Sequence, residues 1–280
     1  MIGQVKKENS KMALGRRGEP VFPLSLPLMW VGRGRRVAEV TALSRDLSST
    51  VVLLSSVLSR RSMDVLCGSM TKKPGGEIVF TIFLDYTDSG LSLESLRESL
   101  SSFGVVERVM TNGTVAEGVT INSHAFPLLF GERRVIVLPT EFFERIANFF
   151  RSSLGGVANT ILFELGRTCG ATSARYMGGG PNRKNGEEVV RIGLATAQAA
   201  GWGIVEDFYA DSSKTSWRVS IRDLFECTSR KSDETGNRSH FFRGYLTGLF
   251  QEAYGLERAS CVETLCAANH AASCEFAIWV

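Results

Sequence analysis

Three side chains with metal-binding chemistry lie close together near the C-terminus. Glu263, Cys266 and Cys274 fall within the stretch "VETLCAANHAASCEF", whose apolar flanks predict two β-strands joined by a short loop. Folding such a hairpin brings Cys266 and Cys274 to the mouth of one loop, where both sulfurs can bind one ion at about 2.3 Å. The Glu263 carboxylate joins them only if the strand bends, across a bulge or at the beginning of the loop, because residues three apart on a regular strand face opposite ways. Zinc accepts this mixed set of sulfur and oxygen ligands.

A fourth ligand would complete the zinc site, and His240 is the candidate. It opens the predicted helix "HFFRGYLTGLFQEAYG", which must pack on the sheet that contains the hairpin. Four protein ligands leave no position for water or substrate, so the expected zinc is structural. Spacing alone leaves two alternatives open: a disulfide between Cys266 and Cys274, or a pair of inert buried thiols.

Positive charge is concentrated at the start of the chain. The 280 residues carry a formal net charge of +3, but residues 1–36 hold eight Lys and Arg against two Glu. The rest of the chain is therefore mildly acidic and lacks the electrostatic footprint of a nucleic-acid groove. We expect no direct binding of nucleic acid, and we interpret residues 1–36 as a basic tail and lead-in that is disordered in part.

The apolar run "VFPLSLPLMWV" is too short to span a bilayer and is interrupted by Pro23 and Pro27. It continues into "GRGRR" without the small-residue cleavage site of a signal peptide. Six cysteines in a chain of this length favour thiols or metal ligands in a reducing compartment. The expectation is a cytoplasmic protein without a membrane span.

The first domain is predicted over residues 37–115. Its hydrophobic patterns follow the order βαββαβ, which is the ferredoxin-like arrangement, and Ser92 is the predicted cap of its second helix. The stretch resembles the ACT family of small regulatory domains in length, in element order and in the Asp46 that ends the first strand. Amino-acid-binding ACT domains usually place a Gly shortly after that Asp, whereas Ser48 and Ser49 follow here. The resemblance therefore implies pairing through exposed sheet edges, and hence a homodimer, more than amino-acid binding.

Residues 120–280 predict a second domain of the α+β class, with helices packed on an antiparallel sheet. Within it, "RRVIVLP" has the composition of a buried strand. Aromatic side chains are more numerous than a core of this size needs. They predict a cavity for an apolar ligand, walled by helices 139–153 and 156–177 and by the strand that bears Trp202. The candidate ligand-binding residues are Phe142, Phe163, Trp202, Phe208, Trp217 and Tyr245.

The C-terminal motifs resemble those of the 4-vinyl reductase (4VR) domain family. "HFFRGYLTGLFQEAYG" and the following hairpin contain a Gly-Tyr-x-x-Gly helix, a Glu-x-x-Cys and a returning Cys-x-Phe, and the likeness extends upstream through "ILFELGRTCG". In aromatic-sensing members of the family, the Glu-x-x-Cys and the later Cys hold zinc with a further Cys that precedes the Gly-Tyr helix. The resemblance implies Glu263, Cys266 and Cys274 as ligands here, with His240 in place of that further Cys. His270 stands where the family loop usually has Gly and is an alternative ligand.

The resemblance implies a small-molecule-sensing regulatory protein whose 4VR domain binds an apolar or aromatic ligand. An enzyme or accessory protein that acts on a tetrapyrrole vinyl group is the alternative. No Rossmann fingerprint follows a predicted strand, and no flavin site is visible, so the enzymatic interpretation depends on the resemblance alone. A scaffold like the family's vesicle-tethering relatives is a third hypothesis, and a filled acyl tunnel would distinguish it.

Overall fold

A computed structural model describes residues 21–102, 104, 106–178, 185–211, 213, 215–227 and 239–280 of the protein. The first 20 residues of the predicted basic tail lie outside the described residues. The described chain divides into two compact units, 21–137 and 138–280.

The first unit contains nine strands and two helices among its described residues. Its elements are β1 (Met29–Val31), β2 (Val37–Ser44), α1 (Leu47–Arg60), β3 (Asp64–Lys72), β4 (Ile78–Asp85), α2 (Leu93–Ser101), β5 (Val106–Asn112), β6 (Thr114–Ala116), β7 (Val119–Ile121), β8 (Leu129–Phe130) and β9 (Arg133–Arg134).

The main sheet of this unit has the antiparallel order β3-β4-β2-β5, and α1 and α2 occupy the two connections. Both helices begin at a capping side chain: Asp46 accepts a hydrogen bond from Ser49 N, and Ser92 accepts one from Ser95 N, each at 3.1 Å. The predicted Ser92 cap is confirmed. Strand β1, which lies in the segment interpreted as lead-in, pairs with β7 in a separate small sheet.

A fully buried carboxylate lies in the middle of the main sheet. Glu39 accepts a hydrogen bond from Thr41 Oγ1, and its Oε2 lies 2.6 Å from His124 Nδ1. A buried carboxylate requires such partners, because desolvation would otherwise penalise its charge heavily. His124 and Glu39 are 85 residues apart in the sequence, so no local pattern predicts this contact.

The predicted strand "RRVIVLP" was wrong beyond its first two residues. Strand β9 ends at Arg134, and residues 135–139 lie outside any strand. Ile136 is 78% exposed. An apolar run becomes a buried strand only where a neighbouring strand accepts its backbone hydrogen bonds, and β9 pairs only with the two-residue strand β8.

Among its described residues, the second unit packs four α-helices with a four-stranded antiparallel sheet in the order β10-β11-β13-β12, which agrees with the predicted α+β class. Its elements are α3 (Thr140–Leu154), α4 (Val157–Gly178), α5 (Gly186–Ala199), β10 (Ile204–Ala210), β11 (Ser216–Arg222), α6 (His240–Tyr254), β12 (Ser260–Leu265) and β13 (Cys274–Trp279).

Helix α6 is the centre of this unit, and it approaches α4 through glycines on both helices. A Cβ atom added at Gly166 would lie 1.9 Å from the Phe241 carbonyl oxygen, and one at Gly170 would lie 2.0 Å from the Tyr245 carbonyl oxygen. The contact is reciprocal, because a Cβ at Gly244 of α6 would lie 1.9 Å from the carbonyl oxygen of α4 residue Phe163. The paired residue numbers rise together, so the two helices run parallel. Only glycine fits at these positions, because any Cβ atom would overlap the backbone of the facing helix.

Among the residues that the structure describes, no helix combines the length and the apolar character needed to cross a membrane.

We predict that Gly244→Ala lowers the free energy of unfolding by at least about 3 kcal/mol, because the added methyl group would overlap the α4 backbone. Urea unfolding followed by circular dichroism measures the change. Gly156→Ala is the matched control: its Cβ meets open space, so the expected change is within about 1 kcal/mol. Equal stability of the two variants would contradict the close backbone contact.

Candidate metal centre

Four buried side chains of the second unit converge on one point. One ligand atom from each of Cys227, Glu263, Cys266 and Cys274 lies within 4.8 Å of every other. We call these four residues the ligand cluster. Three of them come from the terminal hairpin, and Cys227 ends a turn of 3-10 helix, Phe225–Cys227, that follows β11.

A bulge in β12 brings Glu263 and Cys266 to the same side of the hairpin. Glu263 pairs with Phe276 and Leu265 pairs with Glu275, so Thr264 is the extra residue on its strand. A residue inserted in this way shifts the alternation of side chains by one position. The predicted distortion of the strand is therefore confirmed, and it places the carboxylate beside the sulfurs.

The sulfur positions suit a shared ion. Cys227 Sγ lies 3.6 Å from Cys266 Sγ and 3.5 Å from Cys274 Sγ. Thiolates at about 2.3 Å from one zinc in a tetrahedron lie about 3.8 Å apart, whereas bonded sulfurs lie about 2.05 Å apart. None of the six cysteines of the chain forms a disulfide in the structure, so the Cys266–Cys274 disulfide alternative is not what it shows.

The electrostatics of the cluster call for a cation. Burial, opposed by a hydrogen bond from Ser239 and reinforced by the contact with Cys266, raises the pKa of Glu263 to about 7. The contact with Cys266 raises the pKa of Cys227 to about 12, and the contact with Cys227 raises the pKa of Cys274. The Cys266 pKa is lowered, first by the contact with Cys227. Four acidic groups in one buried place cannot all ionise alone, and a bound divalent cation would reverse that balance.

The donor set therefore fits zinc, with three sulfurs and one carboxylate oxygen. Such a four-ligand site would be closed to water and would serve structure. The residues that would hold the ion are those of the ligand cluster.

Cys227 occupies the place in the cluster for which His240 was predicted. His240 is the first residue of α6, and the neighbouring Ser239 is the residue whose side chain reaches Glu263. His240 is not among the four clustered residues. The signal for Cys227 was present: the resemblance called for a cysteine before the Gly-Tyr helix, and Cys227 precedes it by more residues than expected. His270, the alternative ligand, is exposed and is not among the four.

The six candidate ligand-binding residues do not line one surface. Trp202 and Tyr245 are in contact, with ring centroids 5.0 Å apart. Phe208 and Trp217 are buried and both pack on Phe250, whereas Phe142 is 47% exposed on α3. The guanidinium of Arg243 lies over the ring of Phe163.

A different set of half-buried rings surrounds Trp202. Trp202 lies 5.7 Å from both Phe225 and Phe241, and Phe143 of α3 contacts the same two rings at 4.9 and 5.3 Å. We call Phe143, Trp202, Phe225 and Phe241 the aromatic group. Its members come from four separate segments, and only Trp202 is among the six candidate ligand-binding residues predicted from the sequence.

The carboxylate of Glu226 connects the turn that carries Phe225 to the start of helix α6. Glu226 accepts hydrogen bonds from Phe241 N at 3.1 Å and Phe242 N at 2.6 Å, in the first turn of α6. It therefore caps α6 from a distant turn and satisfies donors that a helix start leaves unpaired. Burial raises the pKa of Glu226 to about 8.

Comparison with known proteins gives partial likenesses only. No family model matches the chain, and no curated protein matches it. Solved structures do: the phenol-responsive sensory domain of the transcription activator PoxR, determined with phenol, is 16% identical at a TM-score of 0.46. That match covers 54% of this chain and 79% of the other.

Two further solved structures show a similar degree of likeness. A vinyl-4-reductase family protein from Methanocaldococcus jannaschii is 15% identical, with a TM-score of 0.35, over 51% of this chain and 82% of its own. Subunit 3 of a trafficking protein particle complex from Naegleria fowleri, covalently bound to palmitic acid, is 12% identical, with a TM-score of 0.40, over 50% of this chain and 91% of its own. At such values the function has to be argued from this chain's own residues.

We predict one zinc per chain, measured by elemental analysis of protein purified without added metal. Cys227→Ser and Cys274→Ser should each lose the ion and several kcal/mol of stability, because loss of a structural zinc removes folding energy. Cys261→Ser is the matched control, since Cys261 is also buried in β12 but lies outside the cluster. His240→Ala should retain full zinc content. Zinc loss in both of these controls would contradict the assignment of ligands.

Proposed function

We propose that the protein is a regulatory sensor of a small apolar or aromatic molecule, held in shape by a structural zinc in its second unit. The observation that carries the proposal is the turn Phe225–Cys227. It contributes Cys227 to the ligand cluster and Phe225 to the aromatic group. The ligand cluster and the aromatic group thus share one short segment.

The zinc would fix the positions of rings that a ligand contacts. Cys227 anchors the turn that carries Phe225, and Ser239, hydrogen-bonded to Glu263, precedes the α6 residue Phe241. When bound, the ion supplies strong bonds to four side chains and no reaction chemistry. The protein's own contribution is to hold ring edges and faces at defined angles, as the T-shaped contacts of Phe143 already show.

Helix α3 is the element suited to respond to a ligand. Ala147 is its only buried residue, and Phe149 is 64% exposed, so few contacts hold α3 to the rest of its unit. Phe143 is the α3 member of the aromatic group, and it contacts Phe225 and Phe241. Elements with few buried contacts open at low free-energy cost, which lets a ligand beside Phe143 shift the position of the helix.

The expected affinity is modest. Burying about 200 Å² of a phenol- or indole-sized molecule contributes about 5 kcal/mol at about 25 cal/mol per Å², before association costs are subtracted. Such affinity suits a sensor of a metabolite or pollutant present at high concentration. A larger apolar ligand would bind more tightly.

The two domains would divide the task. We propose that residues 37–115 form an ACT-like pairing domain and that residues 120–280 form a 4VR ligand-binding domain, in a cytoplasmic homodimer. Cysteines that form no disulfide suit that reducing compartment. The tetrapyrrole enzyme alternative stays a prediction without a specific structural observation in its favour among the described residues.

Trp202 fluorescence tests ligand binding. We expect phenol, indole and short isoprenoid alcohols, added separately, to include at least one compound that changes the emission and raises the melting temperature. Trp202→Leu should abolish both responses, because Trp202 contacts three aromatic rings that a ligand would displace or cover, those of Phe225, Phe241 and Tyr245. Trp279→Phe is the control, since Trp279 is 40% exposed at the end of β13, outside the aromatic group. Failure of every compound to stabilise the wild-type protein would count against the sensor.

The pairing role of the first domain is tested by sedimentation. Exposed sheet edges associate readily, so we expect the full chain to sediment as a dimer and a chain that begins at Gly118 to sediment as a monomer. A truncated protein that remains dimeric would place the interface in the second domain.

A further inference from the structure

Ser239 contacts two of the four candidate metal ligands. Its Oγ donates a hydrogen bond to Glu263 Oε1 at 2.7 Å, and the same oxygen lies 3.2 Å from Cys227 Sγ. Its backbone N–H points to the other carboxylate oxygen, Glu263 Oε2, at 3.4 Å. Ser239 is 1% exposed, so water does not compete for these contacts.

Ser239 holds the N-cap position of α6 but does not act as a cap. A serine there normally accepts a hydrogen bond from a backbone N–H in the first turn. The Ser239 side chain makes no such bond, and Glu226 accepts from Phe241 N and Phe242 N instead. The capping function therefore falls to Glu226, and the Ser239 hydroxyl is directed to the ligand cluster.

We propose that Ser239 is a positioning residue for the metal centre, which holds Glu263 so that it offers one oxygen to the ion. This proposal rests on the zinc site of the proposed function. The terminal torsion of a glutamate is broad, so an unrestrained carboxylate rotates readily. A hydrogen bond at each carboxylate oxygen limits that rotation and favours four-coordinate binding over a two-oxygen mode.

The position of Ser239 also connects metal binding to helix α6. Since Ser239 immediately precedes His240, a metal that orders Glu263 also orders the first turn of the helix. That turn carries Phe241, a member of the aromatic group. The same hydroxyl contact thus joins the ion to the ring surface proposed for ligands.

The test compares Ser239→Ala with wild type and Ser239→Thr in the full chain. Zinc affinity is measured by chelator competition, and coordination is measured from the visible spectrum of the Co²⁺-loaded protein, which is intense for four-coordinate cobalt. Loss of a hydrogen bond to a ligand typically weakens metal affinity by about 10- to 100-fold. We expect Ser239→Ala to show that loss and a weaker Co²⁺ spectrum, and Ser239→Thr, which keeps the hydroxyl, to restore both.

Ser220→Ala is the matched control. Ser220 is buried in β11 of the same sheet, and its hydroxyl lies 3.2 Å from Ser273 Oγ, a side chain outside the ligand cluster. We expect unchanged affinity and an unchanged Co²⁺ spectrum. If Ser239 had only a structural role, Ser239→Ala would lower the thermal stability of the metal-free protein and leave the Co²⁺ spectrum unchanged.

The outcomes separate the two proposals. Wild-type protein that binds neither zinc nor Co²⁺ overturns the metal centre itself. Wild-type protein that binds zinc while Ser239→Ala retains its affinity and spectrum overturns only the role of Ser239. Should Ser239→Ala not fold, Ser239→Gly replaces it, because glycine is well tolerated at the start of a helix; the same losses support the proposal and their absence rejects it.

Discussion

The second unit depends on the close parallel contact between α4 and α6. Gly166 and Gly170 on one helix and Gly244 on the other bring backbone against backbone, at separations that leave no room for a methyl group. Such proximity maximises dispersion contacts and permits weak Cα–H hydrogen bonds to carbonyl oxygens. It also fixes where α6 begins. Everything near that end, including Ser239, Phe241 and the cap from Glu226, takes its position from the helix pair.

The ligand cluster lies where three structural elements meet around the start of α6. The turn ending at Cys227, the bulged strand with Glu263 and the loop between Cys266 and Cys274 together bring four acidic groups to one buried point. Without a cation, these groups share protons through mutual contacts. The pKa of Cys266 is therefore lowered, whereas the pKa of Cys274 is raised. Hydrophobic packing alone gives no reason to gather them. The arrangement is understandable as a site that an ion completes.

The two units solve the problem of buried charge differently. In the first unit, Glu39 is compensated by a hydroxyl and an imidazole, so protein side chains suffice. In the second unit, Glu263 accepts a hydrogen bond from Ser239 and lies among three thiols, which are acidic groups like itself. The gathering of four acidic groups at one buried point supports the inference of a metal there.

Local sequence determined the order of the helices and main-sheet strands in the first unit, the α+β class, the terminal hairpin, and three members of the ligand cluster. Periodicity and capping act over a few residues, and Glu263, Cys266 and Cys274 lie within one hairpin whose pairing follows from a short loop. Tertiary structure decided the rest. Cys227 joins Cys266 across 39 positions, His124 joins Glu39 across 85, and "VIVLP" found no strand to pair with. Contacts at such separations depend on how whole helices and sheets pack, and no local pattern encodes which distant side chain fills a given space.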